Sequence, residues 1–143
     1  STKIGTKIIT KNGIVRTKDN FKYKILVVDD SHTTRILQKN ILSNHGYNTQ
    51  TATSAINALE KVDKDKFDLI ITDVQMPKMS GFEFIEELRK NSVYTNCPVI
   101  VVSSEPKEKH LDDIKKTNIN AYIEKNLFKQ EELINTIESI LSY

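Results

Sequence analysis

The sequence has almost no cysteine, and its one cysteine, Cys97, excludes an internal disulfide framework and a multi-cysteine zinc site. It contains no apolar run near the ~18 residues that a membrane span needs, and no charged-then-apolar leader is expected at its start. The net charge of +2 is too small to indicate nucleic acid or a membrane surface as a partner. At 143 residues the chain has the length of one domain. These absences predict a soluble, cytoplasmic, single-domain protein.

The small net charge conceals an uneven distribution along the chain. Residues 1–22 carry six basic side chains and one acidic side chain, whereas residues 23–143 carry 15 basic and 18 acidic ones. No helical periodicity is sustained before residue 23, and Asn12-Gly13 lies between two apolar pairs, which suits a tight hairpin turn. We therefore expect residues 1–22 to be a linker or a cloning-derived tail, with at most a weak hairpin, and residues 23–143 to form the domain.

From Tyr23 onward, short apolar runs alternate with stretches of helical periodicity. The apolar runs are typical of strands buried on both faces of a parallel sheet. They lie at residues 24–28, 67–72, 98–102 and 121–123, and residues 49–53 are predicted as a weaker strand. The helical stretches between the strands include apolar stripes such as Ile36, Leu37, Ile41 and Leu42. Ser80 and Glu83 have capping-box spacing, residues 107–116 are predicted as one helix, and Asn118 suits its left-handed stop. Five strand–helix repeats predict a doubly wound α/β fold with helices on both faces of a five-stranded parallel sheet.

Polar side chains follow or end four of the five predicted strands. Asp29 and Asp30 follow the first strand, Asp73 follows the third, Ser103 ends the fourth and Lys125 follows the fifth. Because parallel strands end on one edge of a sheet, we expect these side chains to converge. Three carboxylates in one cleft repel each other, and oxygen ligands without histidine or cysteine suit Mg²⁺.

The charges of such a site would cancel, because three carboxylates balance one divalent cation and the Lys125 ammonium. Lys125 and the Ser103 hydroxyl would then contact phosphoryl oxygens, and one carboxylate would act as a nucleophile. Phosphoryl transfer needs mainly positioning and charge neutralisation, which these groups supply. The pattern therefore suits transfer of a phosphoryl group to an aspartate.

Four segments resemble the receiver domain of two-component response regulators. They are Val27-Val28-Asp29-Asp30-Ser31, Thr72-Asp73-Val74-Gln75-Met76-Pro77-Lys78-Met79-Ser80-Gly81, Val101-Val102-Ser103-Ser104 and Ala121-Tyr122-Ile123-Glu124-Lys125. They occur in the order and spacing of that family, and the resemblance spans residues 23–143. It implies a flavodoxin-like fold with strand order 2-1-3-4-5.

The resemblance implies that Asp73 accepts a phosphoryl group from the phosphohistidine of a histidine kinase, whose phosphotransfer domain would lie in the same chain or in another. Asp30 would bind Mg²⁺ directly and Asp29 largely through water. Asp73 and the backbone carbonyl of Gln75 would complete the protein ligands, and Mn²⁺ could substitute for Mg²⁺. The domain itself would catalyse only its own phosphorylation and dephosphorylation.

The same resemblance assigns Ser103 and Lys125 to contacts with the phosphoryl oxygens. Movement of Ser103 toward the phosphate would let Tyr122 rotate inward and remodel the face of the fourth helix, fifth strand and fifth helix, where a downstream protein would bind. Gln75 and Glu105 occupy positions with which the family tunes dephosphorylation. No nucleic-acid or membrane partner is expected within this chain.

The chain departs from the common family pattern in two places near the site. Ser103 stands where threonine is common and keeps the hydroxyl, and Asn126 stands where a proline commonly follows the lysine, so a cis-proline turn is not expected. Receivers fused to the C-terminal end of chemotaxis-type hybrid histidine kinases commonly lack that proline. They also resemble this chain at Asp30-Ser31, Thr33-Thr34-Arg35, Lys39-Asn40-Ile41-Leu42, Phe128, Gln130 and Leu133. This subtype is the finer resemblance, and the parent chain would then be a histidine kinase.

The sequence leaves other functions open. The domain could be a free-standing single-domain response regulator, or a receiver-like interaction module that works without phosphorylation, which the missing proline favours. An aspartyl-phosphate phosphatase would typically carry Asp-x-Asp after the first strand, where this chain has Asp29-Asp30-Ser31. Tyr122 could be half-buried packing alone, and His32, His45 and His110 are expected to be solvated helix residues.

Overall fold

The computed structural model describes residues 8–9, 15–16, 23–127 and 129–141. Its centre is a parallel sheet of five strands: β1 (Lys24–Val28), β2 (Asn48–Ala52), β3 (Leu69–Thr72), β4 (Val99–Ser103) and β5 (Ala121–Glu124). The helices are α1 (His32–Asn44), α2 (Ala55–Lys64), α3 (Gly81–Lys90), α4 (Leu111–Thr117) and α5 (Gln130–Leu141). The strand order across the sheet is β2-β1-β3-β4-β5. The predicted doubly wound fold with order 2-1-3-4-5 is therefore confirmed.

The register of the strands places the ends of β1 and β3 side by side. Val28 pairs with Thr72, and the amide of Asp73 donates to the carbonyl of Val28 at 3.0 Å. Asp29 and Asp73 therefore leave neighbouring strands at the same level. The strand order changes direction here, because the chain runs from β1 outward to β2 and then crosses back to β3. Ligands of doubly wound sheets bind at such a switch point.

Two hydrophobic cores hold the helices to the two faces of the sheet. Leu26 and Val28 of β1 belong to the core beneath α2, α3 and α4. Ile25 and Val27 belong to the core beneath α1 and α5. The four β1 side chains are buried, which explains why this strand is a continuous apolar run in the sequence.

The helix predicted over residues 107–116 is divided into two parts. Lys107–His110 form a 3-10 turn, and α4 begins only at Leu111. His110 has φ −128° and ψ 22°, which interrupts the helical backbone between them. Apolar periodicity does not reveal such a break, because the break depends on the backbone of one residue. The predicted left-handed stop is confirmed by a φ of 53° at Asn118.

The buried side of α1 differs from the predicted apolar stripe in its first half. Ile41 and Leu42 are buried as expected, but Ile36 and Leu37 are 47% and 51% exposed. Gln38 is buried instead. Because Gln38 lies three and four residues before Ile41 and Leu42, all three share one face of the helix. Hydrophobicity alone could not identify a glutamine as the third member of that face.

Before the sheet, Ile8–Ile9 and Val15–Arg16 pair as a two-stranded antiparallel ladder. The predicted turn at Asn12-Gly13 between them lies outside the described residues. The division of the chain at residue 22 stays a prediction. Among the helices that the structure describes, we find none with the length and apolar character of a membrane span.

The single cysteine lies in the loop before β4. Cys97 is buried and forms no disulfide, and burial raises the pKa of its thiol to about 11. Such a thiol stays protonated at neutral pH and is a poor nucleophile. Cys97 therefore contributes to packing, as its place in the core beneath α3 also indicates.

The loop between β3 and α3 returns very close to the end of β3. The amide of Gly81 donates to the carbonyl of Val74 at 2.8 Å. A Cβ atom at Gly81 would lie 1.9 Å from the carbonyl oxygen of Asp73, so only glycine fits without displacing main chain. Ser80 and Glu83 form the predicted capping box at the start of the helix. The glycine thus allows α3 to begin against the backbone that carries Asp73.

Gly81→Ala is expected to destabilise the fold by about 2 kcal/mol, because the added methyl group must displace the main chain of Asp73. Urea unfolding followed by circular dichroism measures the loss. Ser80→Ala is the matched control, since it removes the cap of the same helix at a cost of about 1 kcal/mol without a steric clash. A Gly81→Ala protein as stable as the native one would show that the close approach carries no cost.

Candidate functional site

Three carboxylates meet where β1 and β3 end. One oxygen from each of Asp29, Asp30 and Asp73 lies within 4.8 Å of the others. Asp29 and Asp73 are 2% and 7% exposed, whereas Asp30 is open to solvent. The predicted convergence of these residues is therefore present in the structure.

Lys125 reaches both buried carboxylates from the end of β5. Its Nζ atom donates to Oδ2 of Asp29 at 3.0 Å and to Oδ2 of Asp73 at 3.3 Å. Burial by itself would lower the pKa of Lys125, but the two carboxylates outweigh burial and raise it. Lys125 begins a short 3-10 turn that continues into Asn126. The lysine thus reaches the acidic pair without a proline after it.

The surroundings of Asp73 disfavour the ionised form of its carboxyl group. Burial and the neighbouring charge of Asp29 raise its pKa, and Lys125 opposes this shift only in part. The amide of Val74 donates to Oδ1 of Asp73 at 2.8 Å, which fixes the orientation of the carboxylate. Its Oδ2 atom faces the ammonium of Lys125.

Asp29 is held by Ser31, which precedes α1, and by Arg35 in its first turns. The amide of Ser31 donates to Oδ1 of Asp29 at 2.8 Å, and the Arg35 guanidinium donates to the Asp29 carbonyl at 2.7 Å. Our interpretation of the sequence gave Arg35 no role in the site. No local signal could have revealed it, because its contact depends on how α1 sits against the end of β1.

Ser103 and Tyr122 meet at the turn after β4. Ser103 is fully buried, and its Oγ atom accepts a hydrogen bond from the amide of Glu105 at 3.1 Å. The half-buried Tyr122 donates its hydroxyl to the carbonyl of Glu105 at 2.7 Å. Burial raises the pKa of Tyr122, and a hydrogen bond from Ser103 opposes that shift. The hydroxyl of Tyr122 therefore binds this turn in addition to the packing of its ring.

Gln75, two residues after Asp73, is exposed to solvent.

Of the three histidines, His110 departs most from the expected solvated helix residue. The side chain of His110 is 16% exposed, and its Nε2 atom lies 2.9 Å from Oε1 of Glu105. His45 contacts the carbonyl of Ile41 within α1, and His32 is exposed. The expectation for His110 was wrong because its turn packs against α3 and β5, where the imidazole lies near the rings of Phe82 and Tyr122.

The residues at the acidic edge fit a hard divalent cation. The cluster offers carboxylate oxygens, with no histidine or cysteine in the group of potential ligands found among the described residues. Oxygen donors of this kind suit Mg²⁺ better than zinc or copper. Three carboxylates and one ammonium leave two negative charges uncompensated, which one divalent cation would balance.

Comparison with known proteins gives a consistent result. The family described as "Response regulator receiver domain" matches residues 25–138. The chemotaxis protein CheY-3 of Vibrio cholerae is 35% identical over 107 residues, which cover 74% of this chain and 82% of that protein. The sensor protein EvgS of Escherichia coli is 45% identical over 71 residues, which cover 50% of this chain and 6% of that protein.

Solved structures share the fold over most of the chain. Chemotaxis protein CheY4 of Vibrio cholerae has a TM-score of 0.78 at 34% identity and covers 82% of this chain and 98% of its own. The response regulator TrrA of Thermotoga maritima, solved in complex with Mg²⁺ and BeF, has a TM-score of 0.73 at 30% identity. It covers 82% of this chain and 98% of its own.

Asp73→Asn should stabilise the metal-free protein at pH 7 by about 1 kcal/mol, a common scale for a point substitution. The folded-state pKa of Asp73 is raised, so the unfolded chain loses this proton first. The contribution of the carboxyl to stability is therefore full below the unfolded pKa of about 3.9 and is lost as the pH rises through the folded pKa.

Urea unfolding in EDTA at several pH values measures this difference, which should shrink as the pH falls toward about 4. Asp63→Asn, at an exposed position of α2, is the control and should change stability by less than about 0.5 kcal/mol. A metal-free Asp73→Asn protein less stable than the native one at pH 7 would contradict the assignment of charge stress to Asp73.

Proposed function

The chain belongs to the response regulator receiver domain family, and on that premise we propose that Asp73 accepts a phosphoryl group from the phosphohistidine of a histidine kinase. The observation that carries the proposal is the meeting of three carboxylates with the Lys125 ammonium at one sheet edge. Such a site neutralises and positions a phosphoryl group, which is most of what phosphoryl transfer requires.

Asp73 is the nucleophile in this proposal. Its Oδ1 atom accepts from the amide of Val74 at 2.8 Å and its Oδ2 atom accepts from the Lys125 ammonium at the longer distance of 3.3 Å, so we assign Oδ2 as the oxygen that attacks phosphorus. As the new O–P bond forms, the P–N bond to the donor histidine breaks, and the departing imidazole keeps the electron pair and takes up a proton.

Lys125 and Ser103 stabilise the transferred group. The Lys125 ammonium already lies 3.3 Å from Oδ2 of Asp73, so a phosphoryl group on that oxygen arrives beside a positive charge. Ser103 accepts from Glu105 through oxygen, which leaves its own hydrogen for a phosphoryl oxygen.

Asp29, Asp30 and Asp73 would hold Mg²⁺, with the backbone carbonyl of Gln75 as a further ligand. When bound, the cation would neutralise the charge that the three carboxylates and the phosphoryl oxygens share. The charge stress on Asp73 and the Mg²⁺-containing TrrA structure support this assignment. Mn²⁺, which accepts the same oxygen ligands, is the proposed substitute.

Tyr122 is the proposed reporter of phosphorylation on the α4–β5–α5 face, which would bind a downstream protein. Movement of Ser103 toward the phosphoryl group would shift the Glu105 peptide, which contacts both Ser103 and Tyr122, and would thereby alter the position of Tyr122. Gln75 and Glu105 would tune the rate of dephosphorylation. The change at one buried hydroxyl would thereby reach a surface formed by three elements.

As the finer assignment, we propose a receiver of a chemotaxis-type hybrid histidine kinase, with residues 1–22 as its linker and the cytoplasm as its location. The match to a short segment of the much longer sensor protein EvgS supports it. The subtype pattern also includes Arg35, Gln130 and Leu133, which further support the assignment. Phe128 of that pattern lies outside the described residues. The reading frame upstream of Ser1 tests the assignment, and kinase domains there would establish it.

A free-standing response regulator is the second candidate. The chemotaxis proteins CheY-3 of Vibrio cholerae and CheY of Pseudomonas aeruginosa match this chain over 82% and 94% of their own length, so each consists mostly of the region that resembles this chain. An upstream reading frame without a kinase domain would favour this candidate. In both cases the kinase that supplies the phosphoryl group is the upstream partner.

With acetyl phosphate or phosphoramidate and Mg²⁺, the chain should gain about 80 Da, the mass of one phosphoryl group. Asp73→Asn should gain nothing, because the attacking oxygen is gone. Lys125→Ala should react about 100-fold more slowly, because it loses a charged contact to the transferred group. Intact-mass spectrometry over a time course measures all three.

The control for the mass experiment is Asp63→Asn, which should react as the native chain does. An equal adduct on Asp73→Asn would contradict Asp73 as the acceptor. A native chain that folds and binds Mg²⁺ but gains no mass would favour the phosphorylation-independent interaction module instead.

Mg²⁺ should raise the melting temperature of the native chain, because a ligand that binds the folded state alone stabilises it. Asp30→Asn should lose most of that rise, since it removes a ligand while leaving the two buried carboxylates in place. Thermal unfolding with Mg²⁺, with Mn²⁺ and with Na⁺ at matched ionic strength measures the effect. An unchanged Mg²⁺ response in Asp30→Asn would remove Asp30 from the ligand set.

A further inference from the structure

Glu105 joins three groups that otherwise lie in separate parts of the fold. Its amide donates to the hydroxyl of Ser103 at 3.1 Å, and its carbonyl accepts from the hydroxyl of Tyr122 at 2.7 Å. Its carboxylate lies 2.9 Å from Nε2 of His110. One residue therefore connects the end of β4, the side of β5 and the turn that precedes α4.

His110 is well placed to fix the third of these contacts. The side chains of His110 and Glu105 are 16% and 20% exposed, so their contact is partly shielded from solvent. The imidazole centroid lies 5.3 Å from that of Phe82 in α3 and 6.3 Å from that of Tyr122. Since Phe82 is buried in the core, packing restricts the imidazole as well as the hydrogen bond does.

The backbone of His110 adds to this effect. His110 ends the 3-10 turn and lies at the break before α4, with non-helical φ and ψ angles. A shift of its ring therefore acts at the start of α4. Lys109 also approaches Glu105, but at 3.7 Å and with a side chain that is 63% exposed. An exposed ion pair of that length contributes little.

We propose that His110 is a positioning residue that couples Ser103 and Tyr122 to the start of α4 by holding Glu105. The proposal rests on the phosphoacceptor function described above. With the carboxylate held, the Glu105 peptide keeps its place, so a change at the Ser103 hydroxyl reaches Tyr122 and His110 together. Without the imidazole, the turn would adjust on its own and Tyr122 would respond less.

The experiment follows Tyr122 directly by NMR in the full chain labelled with ¹³C at the tyrosine Cζ, with Tyr122→Phe to assign the signal. Beryllium fluoride with Mg²⁺ serves as the phosphoryl mimic. In the native chain the Tyr122 signal should shift when the mimic is added. In His110→Leu the shift should fall to less than half, and in His110→Gln, which keeps an N–H donor, most of it should return.

Lys109→Ala is the matched control, because it removes the exposed contact to the same carboxylate and should leave the full shift. Glu105→Ala removes the carboxylate that His110 contacts and should also reduce the Tyr122 shift to less than half. This variant tests the same contact if His110→Leu fails to fold. A full Tyr122 shift in both His110→Leu and Glu105→Ala would overturn the proposal.

The outcome in which the native chain gains no phosphoryl mass and shows no shift would count against the phosphoacceptor function. The coupling is then decided in the free protein by the ¹³C signal of Tyr122 itself, because Tyr122 contacts the Glu105 peptide that His110 holds. This signal should differ from its native position in His110→Leu, while Lys109→Ala should leave it unchanged. An unchanged signal in His110→Leu would overturn the coupling.

Discussion

Two buried carboxylates that share one ammonium group are the constraint on which the rest of this structure depends. Asp29 and Asp73 both contact Lys125, yet one positive charge cannot compensate two negative ones, and Asp30 adds a third at the rim. The raised pKa of Asp73 expresses this imbalance. The fold thus maintains two uncompensated negative charges that one divalent cation would balance, and it does so at a cost in stability.

The main chain supports this arrangement from several directions. Amides of Ser31 and Val74 orient the two buried carboxylates, and Arg35 holds the carbonyl of Asp29. Gly81 lets α3 start against the backbone of Asp73. Groups that carry uncompensated charge relax unless their backbone is held, so these contacts keep the carboxylates close together.

The absence of a proline after Lys125 has little consequence for the reach of the lysine. A 3-10 turn that begins at Lys125 directs the ammonium to both carboxylates. On the opposite side of the site, Glu105 connects Ser103, Tyr122 and His110. The acidic site and the α4–β5–α5 face that we propose as a partner surface are therefore linked through a turn of few residues.

The sequence by itself determined the five strands, the fold class and the residues at the strand ends. Apolar periodicity is a local property of the chain, and parallel strands always end on the same edge of their sheet. Asp29, Asp73 and Lys125 could be placed together on that basis alone. Only the tertiary structure decided that Gln38 belongs to the buried face of α1, that Arg35 supports Asp29 and that His110 contacts Glu105. It also decided that residues 107–116 form a turn and a helix. Each of these depends on which side chains meet across elements that are distant in the chain, and no periodicity within one element carries that information.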